Sequence, residues 1–230
     1  MKNVLITGAS RGLGLALARQ FAQNGWGVIM DARGKKSFEQ ARLELSGFPK
    51  VIAIRGDVTT RAHREKLTEA AIQLGGIDVL INNASILGPS PQPPLLDYPL
   101  DVLEKVYLTN VITPLALVQS LRAALRPGAC ILNITSDAGV EAYEGWGGYG
   151  SSKAALEHLS AILARENPDL RIYWVDPGDM RTRMLQEAFP DEDISDRPLP
   201  EESVPGFMAL IESRKPSGRY RAQELKEGRG

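Results

Sequence analysis

Residues 4–14 read Val4-Leu5-Ile6-Thr7-Gly8-Ala9-Ser10-Arg11-Gly12-Leu13-Gly14. A short apolar run of β type (4–7) meets three glycines, and a helical pattern (12–24) begins at the second of them. Glycines let a backbone pass close to a ligand and adopt φ > 0. A helix opening beyond them offers free N–H groups and a partial positive charge, which suits phosphates. A strand, a glycine turn and a helix in this order predict the first unit of a dinucleotide-binding sheet.

The rest of the chain repeats that unit. Apolar runs at 27–32, 51–54, 78–82, 129–135 and 171–175 read as strands. Helical patterns fall at 38–46, 61–74, 100–125 and 150–166. The runs are continuous rather than alternating, as in Val79-Leu80-Ile81, which is how strands covered on both faces read. The expectation is an α/β fold: one Rossmann-like, doubly wound parallel sheet with helices on both faces, formed by residues 1–230 as a single domain. Residues 217–222 are expected to add an edge strand, and 226–230 to fray. In such a sheet the ligand lies beyond the carboxyl ends of the strands. Three loops there stand out: 86–99 with five prolines, 137–148 rich in Gly and aromatics, and acidic 190–202.

Composition narrows the function. Lys and Arg (27) balance Asp and Glu (28), which argues against nucleic-acid or membrane-surface partners. Met1-Lys2-Asn3 leads straight into a three-residue apolar run, too short for a signal-peptide core. No apolar run approaches the roughly 18 residues of a membrane span. The single cysteine, Cys130, lies in an apolar run and reads as a small core residue, so a cytoplasmic location is expected. His63 and His158 stand far apart and read as solvated surface residues, so no metal site is expected.

The spacing Gly8-xxx-Gly12-x-Gly14 resembles that of the short-chain dehydrogenase/reductase family, and other family signatures follow in order. Asp57-Val58 resembles its adenine-contacting pair. Asn82-Asn83-Ala84-Ser85 resembles its N-N-A-G turn, with Ser85 in place of the usual Gly. Asn110 falls where the family's central helix carries an Asn. Ser136 and Tyr149-xxx-Lys153 resemble its catalytic set, and Pro177-Gly178 followed by Met180 and Thr182 resembles its nicotinamide-contacting turn. The resemblance spans about residues 4–185. It implies that Ser10, Arg11, Leu13 and the three glycines, with Ser85, Tyr149, Lys153 and these paired motifs, hold a nicotinamide dinucleotide.

The choice between NADP(H) and NAD(H) turns on Met30-Asp31-Ala32-Arg33. A carboxylate there would bond a free 2′-hydroxyl, and an Arg a 2′-phosphate. Counted from Gly14, the family's acidic position falls on Ala32. Arg33 lies next to it, and Asp31 points to the other face by strand alternation. Arg11 is a second cation of the right kind. NADP(H) is preferred; a one-residue slip of register would restore Asp31 and NAD(H).

Tyr149 and Lys153 are four residues apart on one helix face. A free phenol has a pKa of about 10, and a nearby ammonium lowers it, which would let Tyr149 act as general acid or base. The resemblance assigns Ser136 to the substrate oxygen, Lys153 to the nicotinamide ribose and Asn110 to a water linking Lys153 to solvent. Thr135 precedes Ser136, and either hydroxyl can face the site. The implied reaction is hydride transfer between NADP(H) and a small carbonyl or alcohol. Tyr143, Trp146, Met184 and Leu185 are candidate apolar wall residues. Apolar residues on several faces of 150–166 point to a homodimer or homotetramer contact. Two rivals are a nucleotide-sugar epimerase, which usually carries a larger C-terminal domain, and a cofactor-binding regulator, expected to have lost Ser136, Tyr149 or Lys153.

Overall fold

The computed structural model describes residues 1–213 and 215–225. Seven strands, β1 (Asn3–Ile6), β2 (Gly27–Ala32), β3 (Val51–Arg55), β4 (Ile77–Asn82), β5 (Leu125–Ile134), β6 (Arg171–Asp176) and β7 (Gly218–Arg221), form one sheet in the order β3-β2-β1-β4-β5-β6-β7. Every pairing is parallel. The predicted α/β sheet is thus present, including the edge strand near the C-terminus. The expectation for 226–230 falls outside the described residues. Chain order reverses at β1, which pairs with both β2 and β4, so a crevice opens beyond its carboxyl end.

Successive strand residues serve opposite faces. Val4, Ile6, Val28, Met30, Ile81, Leu132 and Val175 pack against α1 (Gly12–Gln23), α2 (Lys35–Glu44) and a late helix, Val204–Glu212. Leu5, Ile29, Leu80, Ile131 and Ile172 face the opposite layer, built from α3 (Arg61–Gln73) and the helices described next. Full burial of such side chains contributes about 1.5–3 kcal/mol each, which is why the strands are apolar throughout. Cys130 is one of them; burial pushes its thiol up to about 12, so it stays protonated at neutral pH.

Local signals end the first helix. Gly25 has φ 76°, Trp26 N–H donates to Phe21 O and Gly25 N–H to Ala22 O, the pattern of a Schellman cap. Its apolar clasp is the edge-to-face pair Phe21–Trp26, with centroids 4.8 Å apart. The central helix expected over 100–125 is continuous from residue 100 to 121, with one π-helical turn inside it, and ends four residues early. It runs as α4 (Leu100–Tyr107), a π-helical turn (Leu108–Ile112) and α5 (Thr113–Leu121), and residue 125 already opens β5. Pro114 has no N–H to give to the carbonyl one turn earlier, and its ring crowds that carbonyl. The wider turn accommodates it, with Thr113 Oγ1 donating to Leu108 O at 2.7 Å. α6 (Gly147–Glu166) and α7 (Arg183–Ala188) follow, and Val204–Glu212 is α8. Among the described residues, no helix is long and apolar enough to cross a membrane.

Candidate active site

The loops after β1 to β6 converge on one cleft of about 620 Å³. Its glycine floor is tightly built. A Cβ on Gly14 would stand 2.5 Å from Asn83 Nδ2 and 2.7 Å from Gly8 O. Asn83 Nδ2 donates to Thr7 O (2.8 Å) and Gly8 O (3.2 Å), tying the turn after β4 to the turn after β1. Gly14→Ala is therefore expected to destabilise the protein by about 1–3 kcal/mol through overpacking, lowering the thermal midpoint by about 2–10 °C. Calorimetry checks this; an unchanged midpoint would show that the turn has slack. Arg11 begins α1 without a side-chain cap, so the N–H groups of the first turn are open to a ligand.

Gly8, Ser10, Arg11, Gly12, Leu13, Arg33, Asp57, Val58, Asn83, Ala84, Ser85, Tyr149, Lys153, Pro177, Met180 and Thr182 all line this cleft. Gly14, Gly178, Asn110 and Ser136 do not. Residues that the sequence reading overlooked also border it, among them Ser37, Arg19, Glu201 and Leu199. Ser37 Oγ lies 3.2 Å from Ser10 Oγ, and Arg19 pairs with Glu201 at 2.9 Å, holding the acidic loop over α1. A Ser at the start of a helix after the second strand was a signal in plain view; the Arg19–Glu201 pair spans 182 residues and left none.

Asp31 faces α3, as alternation predicts, and is 1% exposed. It accepts from Gly8 N–H (3.0 Å) and pairs with His63 Nε2 (3.0 Å). Burial pushes its carboxyl above the ordinary range, opposed by the His63 and Gly8 bonds. The expectation of a solvated His63 is thus corrected. The ring is buried because Gly56 has no Cβ to block it and because a buried carboxylate demands a partner. His158 is exposed, as expected. Arg33 is free by comparison: its side chain is 70% exposed and reaches Asp57 only at 3.4 Å, a pairing worth at most about 1 kcal/mol.

Tyr149 is 8% exposed and packed by Leu87, Ala138, Trp146 and Met184. Lys153 Nζ lies 5.3 Å from the centroid of its ring and donates to Ile134 O at 2.8 Å. The two groups the sequence reading paired therefore share one side of the cleft with the glycine turn. Their titration runs against that reading. Burial pushes the Tyr149 phenol up, with Asp176 and Asp137 adding to it, and burial brings Lys153 down to about 7. The ammonium sits over the ring face rather than against the hydroxyl, so desolvation outweighs the attraction expected from their spacing.

The neighbours of this pair are fully engaged. Asn110 Oδ1 accepts from Ser85 Oγ (3.0 Å) and Ile86 N–H (2.9 Å), and its Nδ2 donates to Ile86 O (2.9 Å) and Ser152 Oγ (3.0 Å). Ser136 Oγ donates to Asp137 Oδ1 (2.9 Å) and accepts from Ala138 N–H (3.2 Å). Thr135 Oγ1 donates to Glu157 Oε1 at 2.7 Å. Arg219 of β7 bonds Glu157 (3.0 Å), Asp176 (3.3 Å) and the carbonyl of Ser136 (3.2 Å), bracing the loop from behind.

A sequence profile of short chain dehydrogenases matches residues 2–193. This chain belongs to the short-chain dehydrogenase family. A Pseudomonas aeruginosa 3-oxoacyl-acyl-carrier-protein reductase of rhamnolipid biosynthesis is 33% identical, over 81% of this chain and 76% of that one. A short-chain dehydrogenase structure from Pseudomonas syringae superposes with a TM-score of 0.90 at 30% identity, covering 96% of this chain and 94% of that chain. Another family structure, from Shigella flexneri and complexed with NADP, gives 0.89 at 27% identity over 96% and 97%. The dehydrogenase is thus an oxidoreductase by family, with the parallel sheet its relatives share.

Proposed function

We propose that this short-chain dehydrogenase transfers a hydride between NADP(H) and a small carbonyl or alcohol substrate, with Tyr149 as general acid and base. The observation that carries the reading is the meeting of Tyr149 and Lys153 with the Gly8–Gly14 turn in one cleft. Gly8, Gly12 and the uncapped start of α1 fit a pyrophosphate: Gly8 (φ 64°) and Gly12 (φ 54°) give the turn the left-handed backbone that brings it along the cleft, Gly14 lets it pack against Asn83, and the N–H groups supply donors. Asp57 and Val58 would flank the adenine. Pro177, Gly178, Met180 and Thr182 would hold the nicotinamide end. When bound, the nicotinamide supplies or accepts the hydride, and its oxidised form carries a positive charge.

The protein's own groups handle the proton. Tyr149 Oη donates to a carbonyl oxygen in reduction and takes the proton back from an alcohol. Burial opposes ionisation of that phenol, and Asp176 and Asp137 add to it, so positive charge near it has much to offset. Lys153 would bond the ribose hydroxyls and steady Tyr149 electrostatically, and Ser136 would steady the substrate oxygen by turning its hydroxyl from Asp137. Asn110, with its amide spent on Ser85, Ile86 and Ser152, keeps the turn after β4 and the start of α6 in register. Trp146, Met184 and Leu87 give the substrate side an apolar wall.

NADP(H) is preferred over NAD(H) because Asp31 is committed to Gly8 and His63, while Arg33 and Arg11 line the cleft with exposed guanidinium groups. Arg33→Ala is expected to lower kcat/KM for NADPH on the order of 10–100-fold, the loss of a charge-assisted bond, and to leave NADH within about twofold. Equal losses with both would place the preference elsewhere. Exposed Leu108, Ile112 and Ile162 on the central helix and α6 support a homodimer or homotetramer built on those helices. A cytoplasmic location completes this reading.

Incubating the protein with NADPH or NADH and a panel of aldehydes and ketones tests the assignment. Loss of reduced-nicotinamide absorbance, faster with NADPH, is the expected result. Cofactor binding without loss across a broad panel would favour a regulator instead.

A further inference from the structure

Two consecutive residues at the start of α3 hold the floor of the cleft from the layer opposite α1. Arg64 Nη1 donates to Val58 O (3.0 Å) and Thr59 O (2.8 Å), fixing the turn that follows β3. His63 Nε2 meets Asp31 Oδ2 at 3.0 Å, and Asp31 Oδ1 accepts from Gly8 N–H at 3.0 Å. The carbonyl of Asp31 also accepts from Ala9 N–H at 2.8 Å. One residue near the end of β2 therefore holds two successive N–H groups of the glycine turn, and it lines the cleft itself. On its other side the His63 ring fills the space that the missing Cβ of Gly56 leaves, directly before Asp57 and Val58. His63 thus abuts the turn on the adenine side and, through one carboxylate, reaches the turn on the pyrophosphate side.

Stability alone does not call for this pair. Asp31 is 1% and His63 5% exposed, in a layer otherwise made of apolar side chains such as Ile29, Leu67 and Ala70. An apolar pair of similar volume would join β2 to α3 at least as well, because burying charged partners costs much of what their attraction returns. An apolar pair cannot accept a hydrogen bond from Gly8. A carboxylate can, and a bond to an ionised acceptor is shorter and about twice as strong as one between neutral groups. A carboxylate in so dry a place also needs a partner on its second oxygen. His63 is that partner, and it opposes the burial that pushes the Asp31 carboxyl up.

We propose that His63 is a positioning residue for the dinucleotide: it keeps Asp31 as a buried acceptor for Gly8 N–H and so fixes the Gly8–Gly14 turn on which the pyrophosphate lies. It acts through Asp31 and makes no contact with the cofactor itself. The inference rests on the reading of this cleft as the dinucleotide site.

Fluorescence titrations with NADPH and with NADH, run well below every thermal midpoint, test it. His63→Leu leaves Asp31 without its ring partner. It is expected to weaken both cofactors equally, by about tenfold, since the turn meets the part the two share. His63→Gln returns an N–H donor to Asp31 and should bind within about threefold of wild type. The double variant Asp31→Ala/His63→Leu removes both polar groups at similar total volume, which relieves the buried charge and gives Gly8 N–H no acceptor. Its affinity should stay about tenfold down, with a thermal midpoint above that of His63→Leu. A pair that served stability alone would return affinity together with the midpoint. Wild-type affinity in either variant carrying His63→Leu, or no rescue in His63→Gln, overturns the inference. Failure of the cleft reading would look different: the wild-type protein would bind neither cofactor.

Discussion

Tyr149→Phe should lower turnover by about 10²–10⁴-fold, the usual contribution of a positioned acid or base, and leave NADPH affinity within about twofold. The ring is held by Leu87, Ala138, Trp146 and Met184, and phenylalanine fills that space equally well. Only the hydroxyl is lost, so the fold and the glycine turn stay as they are. Steady-state rates with the best substrate of the carbonyl panel, set beside a fluorescence titration with NADPH, give both numbers. A variant that binds and turns over normally would remove Tyr149 from the chemistry. A variant that binds poorly would mean the hydroxyl serves the cofactor instead.

The second large effect is thermodynamic and concerns Lys153. Burial brings its amine from an ordinary 10.5 down to about 7. Between those values the unfolded chain carries a proton at this site that the native protein does not. Stability gains with pH wherever the unfolded state binds more protons. The native state should therefore become more stable from pH 7 to 9 by about 1.4 kcal/mol per unit at this one group, and lose that advantage as pH falls through 7. For a chain of this size that is about 3–5 °C per unit in the thermal midpoint. Other groups titrate too, so the decisive quantity is the difference between wild type and Lys153→Met across the window. Tyr149, pushed the opposite way by burial, acts only above its ordinary pKa of about 10 and stays out of this range. Parallel curves for the two proteins would show that Lys153 keeps its charge when buried.

Much of the architecture was legible because it depends on burial alone. Continuous apolar runs announced strands covered on both faces, and all seven strands were expected to within about four residues at either end. The π-helical turn in the central helix was also written in the chain, at Pro114, yet helical periodicity on either side masked it. His63 was not legible in the same way. Its partner, Asp31, lies 32 residues away, and its space exists only because Gly56 crosses opposite it. The cleft gathers most of the residues that the motifs singled out, since short spacings within a turn or along one helix survive folding. Proton affinities do not follow from spacing. Four residues of separation put Lys153 and Tyr149 on one face, but whether an ammonium meets a hydroxyl or a ring is decided by the depth of the site and by Ile134 O, which captures the amine. Ser85 was conspicuous as a departure, and its hydroxyl is spent on Asn110, a partner 25 residues away that spacing did not announce.

The guanidinium of Arg219 grips the carbonyl of a residue 83 positions earlier, and it comes from a strand beyond the stretch that matches the family profile. The serine loop is therefore braced from behind by a residue that lies outside the span of the family profile. A segment exchange before residue 193 would keep that buttress only where Glu157 and Asp176 are retained, whereas a graft of the final edge strand would retune the serine loop from a distance while touching no residue of the family's motifs.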